Sequence, residues 1–247
     1  MPALTAYSSD LPYAYAPGIF PAIECLLHRP DLAQRVLVSS RAEGREGVEK
    51  LTALAREAGV RIEEADRALA RISGKDNCYA AAVFRKPDEP LRDDLPHVVL
   101  HNPSDCGNVG TILRTALGFG FTDIALIRPC ADAFDPRTVR ACMGSLFQLR
   151  LRVFDRFEDY RAAHPAHALY PFMLTASVPL ETALSRPVGK PFALVFGNEG
   201  SGLPDSFADM GTPVRIPSSD RVDSLNLAIA AGIGLYAFRG FAGPSGA

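Results

Sequence analysis

The chain has 247 residues, of which 47% are hydrophobic, and its formal net charge is −2 at pH 7. This length suits one large domain or two small ones, and the apolar content is sufficient for a hydrophobic core. The near-neutral charge excludes a globally basic nucleic-acid-binding protein, so any such binding needs a local basic patch.

The cysteines and the lengths of the apolar runs are the sequence features that bear on the cellular compartment. The 5 cysteines show no CxxC pair and no Cys/His spacing typical of a metal site. Scattered cysteines without a secretory leader are typical of a reducing cytosol, and we therefore expect a cytoplasmic protein. No apolar run is long enough to suggest a membrane span.

The N-terminal third alternates short apolar runs with amphipathic stretches. Residues 1–16 show no periodicity, and we expect them to form a partly ordered arm. We therefore expect a small α/β domain over residues 1–90. Helical spacing and apolar runs predict, in order, a helix over 18–27, a strand over 35–39, a helix over 46–58, a strand over 60–62, a helix over 65–72 and a strand over 79–84.

Residues 86–96, which read KPDEPLRDDLP, are mostly charged and contain three prolines. Proline interrupts both helices and inner strands, so this stretch is predicted to be an interdomain linker.

A second domain is expected over residues 97–247. Its strands alternate with helices, which predicts a parallel sheet. The predicted strands are 97–101, 124–127, 149–153, 172–176, 192–196 and 214–216, and the predicted helices are 111–117, 136–147, 157–163, 179–184 and 225–238.

Two strand ends in this domain lead into loops rich in glycine or serine. The apolar run ending at Phe196 passes into a turn with Gly197 and Glu199, and the strand ending at Ile216 passes into a polar loop. Ser224 then occupies the position expected of a helix N-cap. Because ligands of open α/β sheets bind outside the carboxyl ends of the strands, we expect the functional site here.

Three motifs in order resemble the SpoU (TrmH-like) family of RNA ribose 2'-O-methyltransferases, of the SPOUT superfamily. They are NVGTILRTALGFG (108–120), FGNEGSGL (196–203) and IPSSDRVDSLNLAIAAG (216–232). A fourth block, VRACMGSLF (139–147), is similar to the helix after the family's second strand. The resemblance covers roughly residues 96–238.

The resemblance implies a parallel-sheet α/β domain with a C-terminal trefoil knot. It also implies that the N-terminal α/β domain is of the small ribosomal-protein-like type that binds the RNA substrate. S-adenosyl-L-methionine is the implied cofactor, ribosomal or transfer RNA the implied substrate and a homodimer the implied assembly. Methyl transfer of this kind requires no metal, since positioning and alkoxide stabilisation suffice.

Arg114 and Asn108 are the first candidate catalytic residues. We expect Arg114 to be a buried guanidinium that binds RNA phosphate and stabilises the developing alkoxide, because a guanidinium holds its proton too tightly to act as a base. A surface salt bridge is the alternative. Asn108 is expected to cap the following helix and to position Arg114, and capping alone is an equally good interpretation.

Glu199, Ser224 and Asn226 complete the catalytic set that the resemblance implies. Glu199 would orient Arg114 or a loop donor, and the alternative is a solvated turn residue. Ser224 is as well explained by N-capping as by catalysis. Asn226 is predicted to lie inside the helix start, where asparagine is a poor helix former. The family places Ser224 and Asn226 near the target ribose or the methionine part of the cofactor.

The cofactor-binding residues are predicted from the same loops. Gly197 would let the backbone approach the cofactor closely, because no side chain occupies that position. Ile216 and Leu225 would present backbone groups to adenine. Thr175 and Asn226 are also predicted to bind the cofactor. The predicted set is therefore Thr175, Gly197, Ile216, Leu225 and Asn226.

Arg114 and Arg140 are the leading RNA-binding candidates, since Arg140 matches the fourth block. Other arginines of the same region form either an RNA-facing patch, a solvated face or a dimer contact. They are Arg137, Arg150, Arg152, Arg156 and Arg161.

Two other functional classes remain as alternatives. One is an RNA-binding or ribosome-assembly factor that keeps the fold and the cofactor pocket without turnover, which the intact candidate residues argue against. The other is a nucleotide-binding enzyme, but the chain lacks GxxxxGK[ST] and a GxGxxG after its first strand.

Overall fold

The computed structural model describes residues 4–73, 77–219 and 221–242. The strands are β1 (Tyr13–Pro17), β2 (Ala33–Val38), β3 (Arg61–Glu64), β4 (Ala80–Arg85), β5 (His97–His101), β6 (Asp123–Ile127), β7 (Arg150–Phe154), β8 (Ala168–Pro171), β9 (Val178–Pro179), β10 (Phe192–Phe196) and β11 (Val214–Arg215). The α-helices are α1 (Ile19–His28), α2 (Glu46–Glu57), α3 (Asp66–Ser73), α4 (Cys106–Gly118), α5 (Pro136–Ala141), α6 (Phe157–Ala163), α7 (Leu180–Leu184) and α8 (Leu227–Phe238).

The contacts divide the chain into two compact units. The first contains the described residues up to Pro87 together with Asp132–Gln148, and the second contains Asp88–Ala131 and the described residues from Leu149 onward. The first unit's N-terminal segment ends at Pro87, inside the stretch 86–96 that was predicted to be a linker, and the unit also takes in Asp132–Gln148. Residues 132–148 were expected in the second domain but pack with the first unit.

The first unit contains a four-stranded sheet in the order β1-β4-β2-β3. Strand β4 pairs antiparallel with β1 and β2, and β3 pairs parallel with β2. Strand β1 begins within the predicted arm, so the prediction of an arm without regular structure is wrong for residues 13–16. Tyr15 is fully buried there, and its hydroxyl donates to the carbonyl of Thr5 at 2.6 Å. Burial on both faces removes the alternation by which a strand is usually recognised.

The segment Asp132–Gln148 packs α5 against β1 and places Phe147 edge-on to Phe84, with the ring centroids 4.9 Å apart. The helix predicted over 136–147 ends at Ala141. Met143 and Gly144 adopt positive φ angles of 52° and 81°, which a right-handed helix cannot contain. The expected continuous helix is therefore two short pieces, α5 and a 3-10 turn over Ser145–Gln148.

The second unit is built on a five-stranded parallel sheet in the order β7-β6-β5-β10-β8, which confirms the predicted parallel sheet. Strand β10 lies between β5 and β8, and all five of its residues are buried. The strand predicted over 172–176 is wrong: β8 ends at Pro171. Phe172 makes the last contact with β10, donating its N–H to the carbonyl of Val195 at 2.8 Å, and it also forms a bridge with Val214. The chain then changes partner, because the N–H of Met173 donates to the carbonyl of Val214 at 2.8 Å.

Helix α4 begins earlier than predicted. It starts at Cys106 rather than near Thr111, and Asp105 is its N-cap, with the side-chain oxygen accepting from the backbone N–H of Asn108 at 2.7 Å. The two glycines of the first turns obscured this start, since glycine lowers helix propensity. Helix α8 packs against α4 and β10. No helix in the described ranges is long and apolar enough to cross a bilayer.

Part of the predicted linker is ordered on the second unit. Leu91 is buried in its core, and Arg92 donates through its backbone N–H and its guanidinium to the carboxylate of Asp123. Asp123 is fully buried, whereas the side chain of Arg92 is partly exposed. A buried carboxylate requires such donors, so this ion pair anchors the segment that precedes β5.

Replacing Asp123 with Asn removes the charge that Arg92 neutralises, and the free energy of unfolding should fall by about 3 kcal/mol. Urea denaturation followed by circular dichroism measures this change. The matched control is Asp155→Asn, which breaks the exposed pair of Asp155 with Arg128 and should cost at most about 1 kcal/mol. Equal losses in the two variants would contradict the assigned role of the buried pair.

Candidate functional site

A cavity of about 420 Å³ lies at the carboxyl ends of β10 and β11 in the second unit. Its walls come from three stretches of chain: the loop after β8, the loop after β10, and the connection from β11 to the start of α8. The position agrees with the expected site, since parallel strands present their carboxyl ends at one edge of the sheet.

Asn198 organises the loop that follows β10. Its backbone groups exchange two hydrogen bonds with Gly202, at 3.1 and 3.0 Å, and its side-chain oxygen accepts from the N–H of Gly200 at 2.9 Å and of Ser201 at 3.1 Å. Its side-chain amide donates to the carbonyl of Asn102 at 2.8 Å. Asn198 was not among the predicted site residues, although asparagine close to glycine is a known turn former.

Gly197 lines the cavity, but the group that approaches it closely is the backbone of Gly202 and Leu203 in the same loop. A Cβ atom at Gly197 would lie 2.2 Å from the carbonyl carbon of Gly202 and 2.4 Å from the nitrogen of Leu203. Any side chain would therefore open the loop. The expected reason for this glycine, close approach of the cofactor, is not needed to explain it.

Glu199 holds the loop after β10 against the loop after β5. Its carboxylate accepts hydrogen bonds from the N–H and hydroxyl of Ser104, at 2.9 and 2.7 Å, from the N–H of Asp105 at 3.0 Å and from the side-chain amide of Asn108 at 3.2 Å. Burial alone would raise the pKa of Glu199, but the donors of Ser104 and Asn108 outweigh it and lower that pKa to about 2. Glu199 is therefore a fixed anion.

Asn108 extends this network to the start of α8. Its side-chain oxygen accepts from the side-chain amide of Asn226 at 3.1 Å. The oxygen of Asn226 in turn accepts from the N–H groups of Ala228 at 2.9 Å and Ile229 at 3.3 Å. The chain Glu199–Asn108–Asn226 thus joins three separate loops.

These contacts correct two predictions about helix caps. Asn226, not Ser224, is the N-cap of α8, and Asp105, not Asn108, is the N-cap of α4. Asparagine is among the preferred N-cap residues, so N-capping explains why Asn226, a poor helix former, stands at the start of α8. Ser224 lies two positions earlier and lines the cavity.

The structure gathers some predicted residues around the cavity and leaves others outside it. The lining includes Glu199 and Ser224 and the predicted cofactor-binding residues Thr175, Gly197, Ile216 and Leu225. Asn108, Asn226 and Arg114 are not among the lining residues, although the first two are bonded to the network around Glu199.

Arg114 was expected to be buried, and that expectation is wrong. It is exposed on α4, and its side chain makes no hydrogen bond or ion pair with any residue that the structure describes. Six helical positions separate it from Asn108, which is roughly 9 Å along the axis. Arg114 therefore presents an available guanidinium beside the site rather than inside the cavity.

Arg140 lies in the first unit, half-buried, and donates to the carbonyl of Ser73 at 3.0 Å. The proposed arginine patch is partly neutralised by local acids: Arg137 pairs with Asp135, and Arg156 pairs with Asp159. Such pairs reduce the positive charge that is available to a phosphate backbone.

The charged residues among the described lining of the cavity are all acidic: Glu199, Asp205 and Asp223. Phe172 and Phe196 add an apolar wall, with their rings stacked at 4.4 Å. A concave site of this size, part apolar and negatively charged, favours a small organic cation over an anion such as a nucleoside triphosphate.

The chain is similar in sequence to known RNA methyltransferases. A model of the SpoU rRNA Methylase family matches residues 96–236. The chain is 32% identical over 178 residues to an uncharacterised tRNA/rRNA methyltransferase of Synechocystis, covering 69% of this chain and 64% of the relative. It is 31% identical over 163 residues to the 23S rRNA (guanosine(2553)-2'-O)-methyltransferase of Bacillus subtilis, covering 65% and 64%. The chain thus spans about 64% of the length of these two relatives.

A solved structure extends the similarity to both units. The AdoMet-bound rRNA methyltransferase of Sinorhizobium meliloti superposes with a TM-score of 0.78 and 31% sequence identity, covering 93% of this chain and 88% of that one.

Replacing Glu199 with Gln should lower the free energy of unfolding at pH 7 by about 1 kcal/mol, as expected when a partly exposed carboxylate loses its charge-assisted hydrogen bonds. Because the folded-state pKa of about 2 lies below the ordinary value of 4.5, the charge stabilises above pH 4.5 and its contribution disappears as the pH falls toward 2. Urea denaturation from pH 7 to pH 3 should show the two proteins converging.

Glu181→Gln, at an exposed glutamate of α7, serves as the control. A difference between wild type and Glu199→Gln that stays constant down to pH 3 would contradict an ionised, hydrogen-bonded Glu199.

Proposed function

The chain belongs to the SpoU rRNA methylase family, and from that premise we propose that it transfers a methyl group from S-adenosylmethionine to a ribose 2'-hydroxyl of RNA. The observation that carries the proposal is the Glu199–Asn108–Asn226 network beside an acidic cavity at the sheet edge. The substrate class is ribosomal or transfer RNA, in keeping with the names of the relatives in Synechocystis and Bacillus subtilis.

The residues of the cavity fit the proposed cofactor. A volume of about 420 Å³ is in the usual range for small-molecule sites. The carboxylates of Asp205 and Asp223 suit a ligand that carries a sulfonium and an ammonium group. Gly197, Ile216 and Leu225 would hold the cofactor from the two loops, and Thr175 from the loop after β8. When bound, the cofactor supplies an electrophilic methyl group.

The chain's own residues supply positioning and charge. Glu199 is too weak a base to accept the ribose proton, since its pKa is about 2. It keeps Ser104 and Asn108 in place, and Asn108 keeps the amide of Asn226 in place. Fixed polar groups of this kind stabilise developing charge without reorganising during the reaction.

Arg114 is proposed to bind the RNA phosphate next to the target ribose and to stabilise the developing alkoxide. Its exposed guanidinium has no competing partner among the described residues, which leaves its donors for a bidentate phosphate contact. Because Arg114 does not line the cavity of its own chain, we propose that it completes the site of a partner subunit.

The proposed homodimer would form through α8 and the adjoining end of α4. Ile229, Ile233 and Tyr236 are 57%, 36% and 55% exposed and recur at helical spacing on one face of α8. Tyr236 packs edge-on to Phe119 at 5.7 Å, so the apolar surface continues past the end of α4. An exposed apolar surface of this kind is typical of an interface.

Three finer features complete the proposal. The C-terminal chain is threaded as a trefoil knot, supported by β10 lying between β5 and β8 and by α8 packing on α4. The first unit binds the RNA substrate, with Arg140 among its contacts. The protein acts in the cytoplasm, where its RNA substrates are made.

The direct test incubates the full chain with labelled S-adenosylmethionine and total RNA and maps the methylated ribose. A cofactor-binding chain that leaves every RNA unlabelled would favour the alternative of a non-catalytic RNA-binding factor.

Arg114→Ala should lower methyl transfer by about 100- to 1000-fold, the usual cost of removing one group that stabilises transition-state charge. Cofactor binding measured by calorimetry should be unchanged, because Arg114 does not line the cavity. Equal losses of cofactor binding and turnover would show that the assigned role is wrong. Arg186→Ala, at an exposed arginine of the second unit that is not an RNA-binding candidate, is the matched control.

Mixed dimers distinguish action within a subunit from action across the interface. One subunit carries Arg114→Ala and the other Ala230→Phe, which fills the cavity that Ala230 lines. If Arg114 acts on the partner, the mixed dimer should regain one working site of two, although each homodimer is inactive. An inactive mixed dimer that forms and binds cofactor would contradict action across the interface.

The dimer itself is tested by Ile233→Asp, which places a charge in the exposed stripe of α8. Light scattering should show a monomer for this variant and a dimer for the wild type, because a desolvated, unpaired charge is costly at an interface. Val153→Asp, at an exposed apolar residue on the edge strand β7, should leave the dimer intact. An unchanged mass for Ile233→Asp would contradict this interface.

A further inference from the structure

Three histidines converge inside the second unit, away from the cavity. His97, His164 and His167 are 0%, 6% and 3% exposed, and one ring nitrogen of each lies within 4.8 Å of one nitrogen of the other two. His97 begins β5, whereas His164 and His167 follow α6. None of the three residues lies in the sequence motifs 108–120, 139–147, 196–203 and 216–232.

Hydrogen bonds fix which nitrogen of each ring carries the proton. Nε2 of His97 lies 2.8 Å from the carbonyl oxygen of Arg92, and Nε2 of His167 lies 2.9 Å from that of Leu95. A carbonyl oxygen only accepts, so both Nε2 atoms are donors. Nδ1 of His164 lies 2.6 Å from the carboxylate of Asp93 and is likewise the donor.

In the neutral form of each ring the opposite nitrogen keeps its lone pair. Nδ1 of His167 is buried and has no hydrogen-bond partner within the part of the chain that the structure describes. Nδ1 of His97 lies 3.1 Å from the hydroxyl of Tyr160, which can donate to it. Leaving a buried acceptor unpaired costs free energy, and an ion that accepts the lone pair of this nitrogen would remove that cost.

We propose that His97, His164 and His167 bind one divalent transition-metal ion, zinc first, through Nδ1 of His97, Nε2 of His164 and Nδ1 of His167. Histidines that bind metal characteristically donate their other N–H to a carbonyl or carboxylate, and all three rings do so here. Neutral imidazoles suit zinc, copper and nickel, and zinc accepts three histidines plus one further ligand.

Binding requires a small rearrangement of the rings. His97 and His167 are stacked with centroids 4.0 Å apart and an interplanar angle of 27°. Zinc–nitrogen bonds are ~2.0–2.1 Å long and lie in the ring plane, so one of the two rings must turn toward the ion. Tyr160, which already approaches Nδ1 of His97, is placed to give the fourth ligand or to hold a water in that position.

The site would be structural and separate from methyl transfer. His97 is the first residue of β5, while the cavity lies at the carboxyl ends of the strands, and five residues of strand span roughly 13–17 Å. The rings of His97, His164 and His167 form hydrogen bonds with residues 92, 93 and 95, respectively. A bound ion would therefore lock the segment before β5 onto the turn that follows α6.

The test uses the full-length protein after removal of metal with EDTA. Zinc chloride is added in a calorimeter, and cobalt chloride is added while the visible absorption is recorded, because tetrahedral cobalt gives an intense spectrum. One ion should bind per chain. His167→Gln should weaken binding on the order of 100-fold or more, and Asp93→Asn about 10- to 100-fold. His28→Gln, at a histidine of the first unit, should bind as the wild type does.

Circular dichroism and cofactor binding show whether each variant is folded. Asp93 has an 81% exposed side chain, so Asp93→Asn should fold even if His167→Gln does not. A folded wild type that takes up neither ion, or an Asp93→Asn variant that binds zinc as tightly as the wild type, would overturn the proposal. In that outcome the histidines serve only as hydrogen-bond donors to the segment before β5.

Discussion

The candidate site depends on one ionised carboxylate that is surrounded by donors. Glu199 accepts from Ser104, Asp105 and Asn108, and these bonds hold the loop after β10 against the start of α4. Because the carboxylate stays charged in the folded protein, the bonds are charge-assisted and fix the loops with little freedom. The position of Asn108, and through it of Asn226, follows from this single group.

Backbone closure imposes the second constraint on the same loop. Gly197 and Gly202 approach so closely that a Cβ atom at Gly197 would overlap the backbone on the other side of the same loop. The side-chain oxygen of Asn198 accepts from the N–H of Gly200 and so stabilises the turn. The loop is therefore rigid before any ligand binds, and rigid sites lose less conformational entropy on binding. Side-chain hydrogen bonds and steric exclusion together give the cavity its shape.

Polar networks of the second unit lie at both ends of its sheet, and the fully buried members are at the amino end. At the carboxyl end the polar groups surround the cavity. At the opposite end, Asp123 with Arg92 and the three histidines anchor the segment that precedes β5. Asp123, His164 and His167 each bond to a partner 31 to 72 positions away, which is how polar networks select one arrangement of a fold. The linker expected from its prolines is, for this reason, ordered where Leu91 and Arg92 dock.

The sequence by itself determined the parallel sheet, the glycine-rich loops and most of the cavity wall, because apolar runs and turn residues act over a few positions. It did not determine that Asn226 caps α8, that Arg114 is exposed, that β8 ends at Pro171 or that Tyr13–Pro17 is a strand. Those outcomes depend on partners far along the chain: Asn108 meets Glu199 across 91 positions and Asn226 across 118. Local periodicity specifies which face of an element is apolar, but only tertiary packing decides which distant residue satisfies a given donor or acceptor.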